Sequence, residues 1–260
     1  MVAALILDDG DRAAIHRALG RRMPVRVCER ADVLRSMLAA GDVRLVASEL
    51  RDCIGISVIP VLAYATARAA APSLVVRTSV GDAAADDIVR FAAARVLASV
   101  SLRGVASLDD ALLAALGGRS DPSPALVILE RVGPFLPHPV RAFVVLCAIA
   151  PSPRLHVGRA AAQLGLARRS LENRLASAGM PPAHRVIGWC AALHAAWRLD
   201  VLGHSRKQVA TDLGFATDAA VANLLARYCG CSPTSLRNHG GFQTQLERFA
   251  SLVRPPLRTL

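Results

Sequence analysis

Aromatic residues make up only 4% of the 260-residue chain, so its cores must be built mainly from the Ala, Leu and Val that dominate an apolar fraction of 53%. Long uninterrupted apolar runs are lacking too. The stretches near residues 54–76 and 142–150 are broken by Arg68 and by prolines, or are too short to span a bilayer, so no membrane association is expected. The opening VAALIL runs straight into Asp8, Asp9 and Asp11 with neither the basic flank nor the cleavage site of a signal peptide. The six cysteines are scattered, and the close pair Cys229-Gly-Cys231 fits neither a disulfide framework nor the two-residue gap of a zinc knuckle. Reduced thiols and a cytoplasmic location follow as expectations. The seven histidines show no ligand spacing, so no metal and no cofactor is expected. No Gly-rich phosphate loop and no nucleophile elbow appears, which places an enzyme behind a non-catalytic reading.

What is present is positive charge, unevenly placed. Of the net +11, residues 1–120 carry 15 Arg against 13 acidic residues, whereas residues 121–260 carry 16 Arg plus Lys against 7. A near-neutral half joined to a basic half points to one part facing a polyanion, and nucleic acid is that polyanion where nothing reads as membrane-bound. The length also favours two domains.

In the first half, short apolar runs alternate with amphipathic ones. VAALILDD, VRVCE, VRLVASEL, SLVVRTS and RVLASVSL read as strands, each followed by a helical stretch, the third around residues 61–71 after Pro60. Buried strands alternating with helices predict a five-stranded parallel, doubly wound α/β domain over residues 1–116. GGRSDPSP, residues 117–124, reads as a linker. Beyond it the spacing is helical throughout, which predicts an all-α domain over 125–240 and a tail over 241–260.

Within that helical half one pattern occurs twice, 49 residues apart: Ala161-Ala-Gln-Leu-Gly165-Leu and Ala210-Thr-Asp-Leu-Gly214-Phe. In each, a glycine able to adopt the left-handed conformation ends one helix and turns the chain into the next. The apolar residues that follow, Val221, Leu224, Leu225 and Tyr228, or Leu171, Leu175 and Ala178, fall on one helical face. Each second helix thus buries one face and leaves the other free, which is helix-turn-helix logic, and a free helix face fits a major groove. The bland reading, two hairpins that share a loop type, is weakened by the repetition and by the basic surround.

The stretch from about Pro139 to Arg237 resembles the AraC/XylS-type DNA-binding domain, two helix-turn-helix units joined by a long helix. Gly214-Phe215, Arg227, Gly230, Ser232-Pro233 and Arg237 carry the match, and HRVIGWCAALHAAWRLD occupies the place of the linking helix. The resemblance implies base-reading positions at Arg169, Ser170, Glu172 and Asn173, with Arg168 and Arg174 toward phosphates. In the second unit it implies Thr217, Asp218, Ala219, Ala222 and Asn223, with Arg227 gripping the backbone. Arg, Asn and Glu have the donor and acceptor patterns that read guanine, adenine and cytosine. Thr217 has an alternative role as the helix N-cap, where its loss costs about 1 kcal/mol. Arg154, Arg159, Arg185, Arg198, Arg206 and Lys207 either line phosphates or form a solvated basic face. The family's usual bulky residue at Val221 and at Cys229, and its polar cap at Ala167, are absent. Because the second recognition helix is rich in alanine, the first unit is expected to do most of the base reading.

The element order of the first half resembles a response-regulator receiver. Asp8 and Asp9 end the first strand where receivers keep a metal-binding pair, and Thr78 ends the fourth. Glu49 stands where the phosphate-accepting Asp belongs, and the usual Lys after the fifth strand is missing, Arg103 being the nearest basic residue. Asp8 and Asp9 read equally as solvated strand-end residues. The sequence therefore points to a DNA-binding transcription regulator, not an enzyme, with an unphosphorylated regulatory or dimerisation domain. The alternative is a phosphorylation-controlled two-component response regulator. Double-stranded DNA is the expected partner, with RNA polymerase and a second copy of the chain as candidates.

Overall fold

The computed structural model describes residues 1–68, 70–105, 107–117 and 123–254. Five strands, β1 (Val2–Leu5), β2 (Val25–Val27), β3 (Leu45–Ser48), β4 (Ser73–Thr78) and β5 (Ser99–Leu102), form one parallel sheet in the order β2-β1-β3-β4-β5. Each is followed by a helix: α1 (Asp9–Leu19), α2 (Ala31–Ala39), α3 (Ile59–Thr66), α4 (Asp82–Ala93) and α5 (Leu108–Leu116). β1 and β3 are buried along their whole length and pair from Val2↔Leu45 to Leu5↔Ser48. Their continuous apolar sequences follow from this, because a parallel strand under helices on both faces has no polar side. Val2, Ala4, Ile6, Leu45, Ala47 and Val75 pack against Ile15 and Leu19 of α1 and Leu108 and Leu112 of α5. Ala3, Leu5 and Val46, on the alternate face, are as fully covered. The doubly wound α/β architecture expected from the alternation is the one present.

Two boundaries differ from the sequence reading. α3 begins at Ile59 and takes Pro60 into its first turn, where a missing N–H and a fixed φ cost nothing. It ends at Thr66, short of the expected residue 71. β5 begins at Ser99, because Arg95 adopts φ +54, a left-handed turn that strand geometry does not allow.

The rest is helical: α6 (Pro124–Val132), α7 (His138–Ile149), α8 (Val157–Gln163), α9 (Arg168–Ser177), α10 (Ala183–Asp200), α11 (Arg206–Leu213), α12 (Asp218–Cys229) and α13 (Gly241–Val253). α13 corrects the expectation of a tail from residue 241. Phe242, Leu246, Phe249 and Val253 recur on one helical face and are all buried, which is enough apolar surface to hold the segment against its neighbours. Most of the expected linker, residues 118–122, and the end of the chain, 255–260, lie outside the described residues. The chain divides into two compact units. The first holds Met1–Ser79 and Arg90–Ser123; the second holds Val80–Val89 and the chain from Pro124 onward. Residues 80–89, in the first half of α4, therefore group with the helical unit. No helix among the described residues is long and apolar enough to cross a membrane.

Candidate nucleic-acid interface

Both expected corners are present, and they match at the level of single hydrogen bonds. His156 caps α8, its Nδ1 accepting from the Arg159 N–H at 3.2 Å. At the other end Gly165 takes φ +66, and the Leu166 N–H reaches back to the Ala161 carbonyl at 2.9 Å. In the second corner Ser205 caps α11, Gly214 takes φ +76, and the Phe215 N–H bonds the Ala210 carbonyl at 2.8 Å. This is the glycine-terminated helix stop in which a left-handed residue lets a later N–H satisfy a carbonyl of the last turn.

The helix after each corner is held by a narrow seam. α9 buries only Leu171 and Leu175, leaving Arg168, Arg169, Ser170, Glu172, Asn173 and Arg174 exposed. All six candidate residues of the first unit therefore share one solvent-facing surface. Arg168 Nε bonds Glu172 Oε1 at 2.9 Å, one turn apart. Such an exposed pair contributes about 0.3–0.5 kcal/mol, little enough for DNA to reclaim either partner. Ala167 stands at the N-cap with no side-chain hydrogen bond.

α12 buries Val221, Leu225 and Cys229. Asn223, Ala219 and Arg227 are exposed, while Asp218 and Ala222 are half-buried. Thr217 accepts from the Ala220 N–H at 3.2 Å and is the N-cap of the helix. Asp218 lies 3.7 Å from the Arg206 guanidinium. The Arg227 guanidinium sits over the Tyr228 ring, 5.5 Å from its centre.

α10 joins the two corners and is buried from Val186 to Ala196. Trp189 meets the edge of Tyr228 and stacks on Phe249, each at 6.1 Å between ring centres. Gly188 makes room for this: a Cβ there would lie 2.0 Å from the Tyr228 hydroxyl. At the C-terminal end of α10, Asp200 accepts from the Phe242 N–H at 2.8 Å and lies 3.3 Å from Arg237. Arg198 lies 3.7 Å from Asp212, whereas Arg154, Arg159, Arg185, Arg206 and Lys207 are exposed. Burial pushes the Cys229 thiol up to about 12 and raises Cys231 as well, against a weaker pull from Arg248, so both are protonated packing residues.

No family model matches the sequence, and no curated protein matches it. Among solved structures, the RcsB response regulator of Salmonella typhimurium aligns over 88% of this chain and 98% of its own at 16% identity, with a TM-score of 0.37. RcsB from Salmonella enterica serovar Typhimurium bound to promoter P1flhDC in the presence of phosphomimetic BeF3- aligns over 87% and 98% at 17% identity and a TM-score of 0.37. A structure of two RcsB dimers bound to two parallel DNAs gives 86%, 97%, 17% and 0.38 in the same order. Likenesses this loose assign no family, and the chemistry below stands on the residues.

In the first unit the sequence pointed to Asp8, Asp9, Glu49 and Thr78. Asp8 caps α1, its carboxylate accepting from the Asp11 N–H at 2.8 Å. Asp9 is exposed and lies 3.5 Å from Arg12. The Thr78 hydroxyl donates to the Ser79 carbonyl at 3.4 Å. Glu49 Oε1 accepts from the Leu7 N–H at 2.8 Å and from Arg103 Nη2 at 2.7 Å. The carboxylate at the centre of this region is one the sequence reading passed over, Asp11. It accepts from Arg77 Nε at 3.1 Å and from Arg103 Nε at 2.7 Å, and Arg77 Nη1 donates to Ser101 at 2.7 Å. Arg103 thus bridges Asp11 and Glu49. Burial alone raises the Asp11 carboxyl, but the hydrogen bonds and charges of Arg77 and Arg103 together hold it below its ordinary value. A signal for this cluster was available: Arg77 interrupts an otherwise apolar strand, and a charge in a strand buried on both faces requires a partner.

Proposed function

We infer that the chain is a sequence-specific, non-catalytic transcription regulator of AraC/XylS type, with residues 125–240 binding double-stranded DNA through α9 and α12. The observation that carries this reading is the repeated corner, with matching bonds from Leu166 to Ala161 and from Phe215 to Ala210, each leading into a helix whose outer face is free. A major groove admits one such helix, and two units with Arg, Asn and Ser facing outward in the first suit base-edge recognition. α9 does most of the reading; α12, with alanines outward and Arg227 at its end, mainly grips the backbone. The first unit acts as a regulatory or dimerising pseudo-receiver that needs no phosphorylation. The engagement of Glu49 by Arg103 and by the Leu7 N–H supports this, since an oxygen so occupied is poorly placed to attack phosphorus or hold Mg²⁺. RNA polymerase and a second copy of the chain are the candidate protein partners.

The test is a gel shift of the full chain on a random DNA pool at two salt concentrations, followed by selection of a preferred site. Binding that weakens steeply with salt and enriches one sequence is expected. Arg169→Ala is expected to cost about 1–3 kcal/mol on that site and little on random DNA, while Arg227→Ala weakens both alike. A folded chain with no affinity for any DNA at low salt refutes the reading. A labile phosphoryl group on Asp8, Asp9 or Glu49 after treatment with a small phosphodonor and Mg²⁺ would favour the two-component alternative.

A further inference from the structure

The loop leading into α8, the N-terminal half of α10 and the outer side of α12 enclose a cleft of about 410 Å³. That volume lies within the range of small-molecule sites, roughly 300–1,000 Å³. Its two ends differ chemically. Ile187, Ala191, Leu224 and Phe215 supply an apolar wall, and Arg227, His184, His156 and Asn223 line it with donors. Among the described residues that line the cleft, none is acidic. His156 accepts a hydrogen bond at Nδ1 as the α8 cap, so a neutral ring carries its hydrogen on Nε2 and offers a donor there. Arg227 is cationic at every working pH, and its planar fork matches a carboxylate.

We propose that this cleft binds a small amphipathic monoanion, a carboxylate on a medium-length hydrocarbon chain, and that its occupant opposes DNA binding. The chain lies on the apolar wall, which gains from burial of hydrocarbon, and the carboxylate pairs with Arg227 and accepts from Asn223 and the imidazoles. A cationic molecule of the same shape finds no counter-charge there. The second half of the proposal rests on the function inferred above: Arg227 and Asn223 are also residues assigned to DNA, so an occupant that holds them withdraws them from the groove. The site thereby supplies a means for a metabolite to release the second recognition helix.

The experiment titrates the full chain with octanoate, octanamide and octylammonium by calorimetry, with tryptophan fluorescence as a second readout because Trp189 touches Tyr228 at the edge of the cleft. Saturable 1:1 binding of octanoate is expected, at least tenfold weaker binding of octanamide, and none of octylammonium. Ala220→Leu and, independently, Ala191→Leu fill the cleft from residues outside the assigned DNA contacts. Each folded variant is expected to lose octanoate affinity at least tenfold and to keep its DNA affinity. Saturating octanoate is expected to weaken wild-type DNA binding at least fivefold. Absence of saturable binding, equal binding of octylammonium, or octanoate binding that neither filled variant disturbs overturns the site. Octanoate bound with DNA affinity unchanged overturns the antagonism. Calorimetry needs no DNA, so failure of the site and failure of the DNA-binding reading are told apart.

Discussion

Asp11→Ala tests the charge cluster of the first unit. Asp11 and Arg77 are 8% and 7% exposed, and Asp11 is the carboxylate shared by Arg77 and Arg103. Removing one member of a buried ion pair typically costs about 3–5 kcal/mol, because the remaining charge stays desolvated. Here the lower end applies: Arg77 retains its bond to Ser101 and Arg103 retains Glu49. Alanine's better helix propensity in α1 returns only a few tenths of a kcal/mol. The expected loss is therefore about 3 kcal/mol, a large share of the roughly 5–15 kcal/mol that stabilises a typical domain. Both tryptophans, Trp189 and Trp197, lie in the second unit, so fluorescence follows that unit while far-UV circular dichroism follows both. In urea, the variant should bring forward the dichroism transition of the first unit and leave the fluorescence transition in place. The difference should also depend on pH in a defined direction. Asp11 has a folded pKa below its unfolded value of about 3.9, so its contribution is fully present above that pH and is lost as pH falls through the folded value. Wild type and variant should converge in acid. A loss below about 1 kcal/mol, or equal shifts of both probes, would refute the assignment of Asp11 as the organising charge.

Three further outcomes concern the helical unit. Gly188→Ala places a methyl 2.0 Å from the Tyr228 hydroxyl, so despite a helix-propensity gain of about 1 kcal/mol it should lower stability by about 1–2 kcal/mol net, and adding Tyr228→Ala should relieve the clash; fluorescence-detected unfolding reads both. Thr217→Ala should cost about 1 kcal/mol and Thr217→Ser almost nothing, while a loss of DNA specificity in the serine variant would show that the threonine methyl also contacts a base. His194 is buried with its Nε2 2.7 Å from the Ala148 carbonyl, and burial holds its pKa down to about 3, with the charge of Arg198 adding to the effect. The unfolded chain then takes up the proton first. Stability of this unit should fall as pH drops from about 6.5 toward 3, with a slope of up to about 1.4 kcal/mol per pH unit, and His194→Gln should remove that slope in urea melts at stepped pH.

The strands and corners were legible because their signals are local. A run such as VAAL or LVAS has to be a strand buried on both faces, and a Leu-Gly-Leu or Leu-Gly-Phe step after a helical stretch carries its own stop. α13 escaped notice for a local reason as well. The pair Gly240-Gly241 reads as the end of ordered chain, yet both glycines take positive φ, +79 and +61, and turn the backbone into another helix. The apolar spacing of Phe242, Leu246, Phe249 and Val253 was there to be counted and outweighs the glycines. The charge cluster is a different case. Asp11 lies 66 residues from Arg77 and 92 from Arg103, and only the parallel order of β1, β4 and β5 in one sheet brings these positions together.

The difference between the two recognition helices is also one of commitment. On α9 the outward side chains are long and polar, and the one ion pair among them, Arg168 with Glu172, is exposed and weak. These groups can reorient toward base edges at small cost. On α12 the corresponding groups are already placed: Thr217 caps the helix, Asp218 faces Arg206, and Arg227 lies over Tyr228, whose ring rests against Gly188 of the connecting helix. A side chain held this way can add affinity wherever a phosphate passes, but it adapts less readily to different bases. Discrimination should therefore track substitutions on α9. Substitutions around Tyr228 should instead change affinity and stability together, because the grip on DNA and the packing of the helix are made by neighbouring atoms.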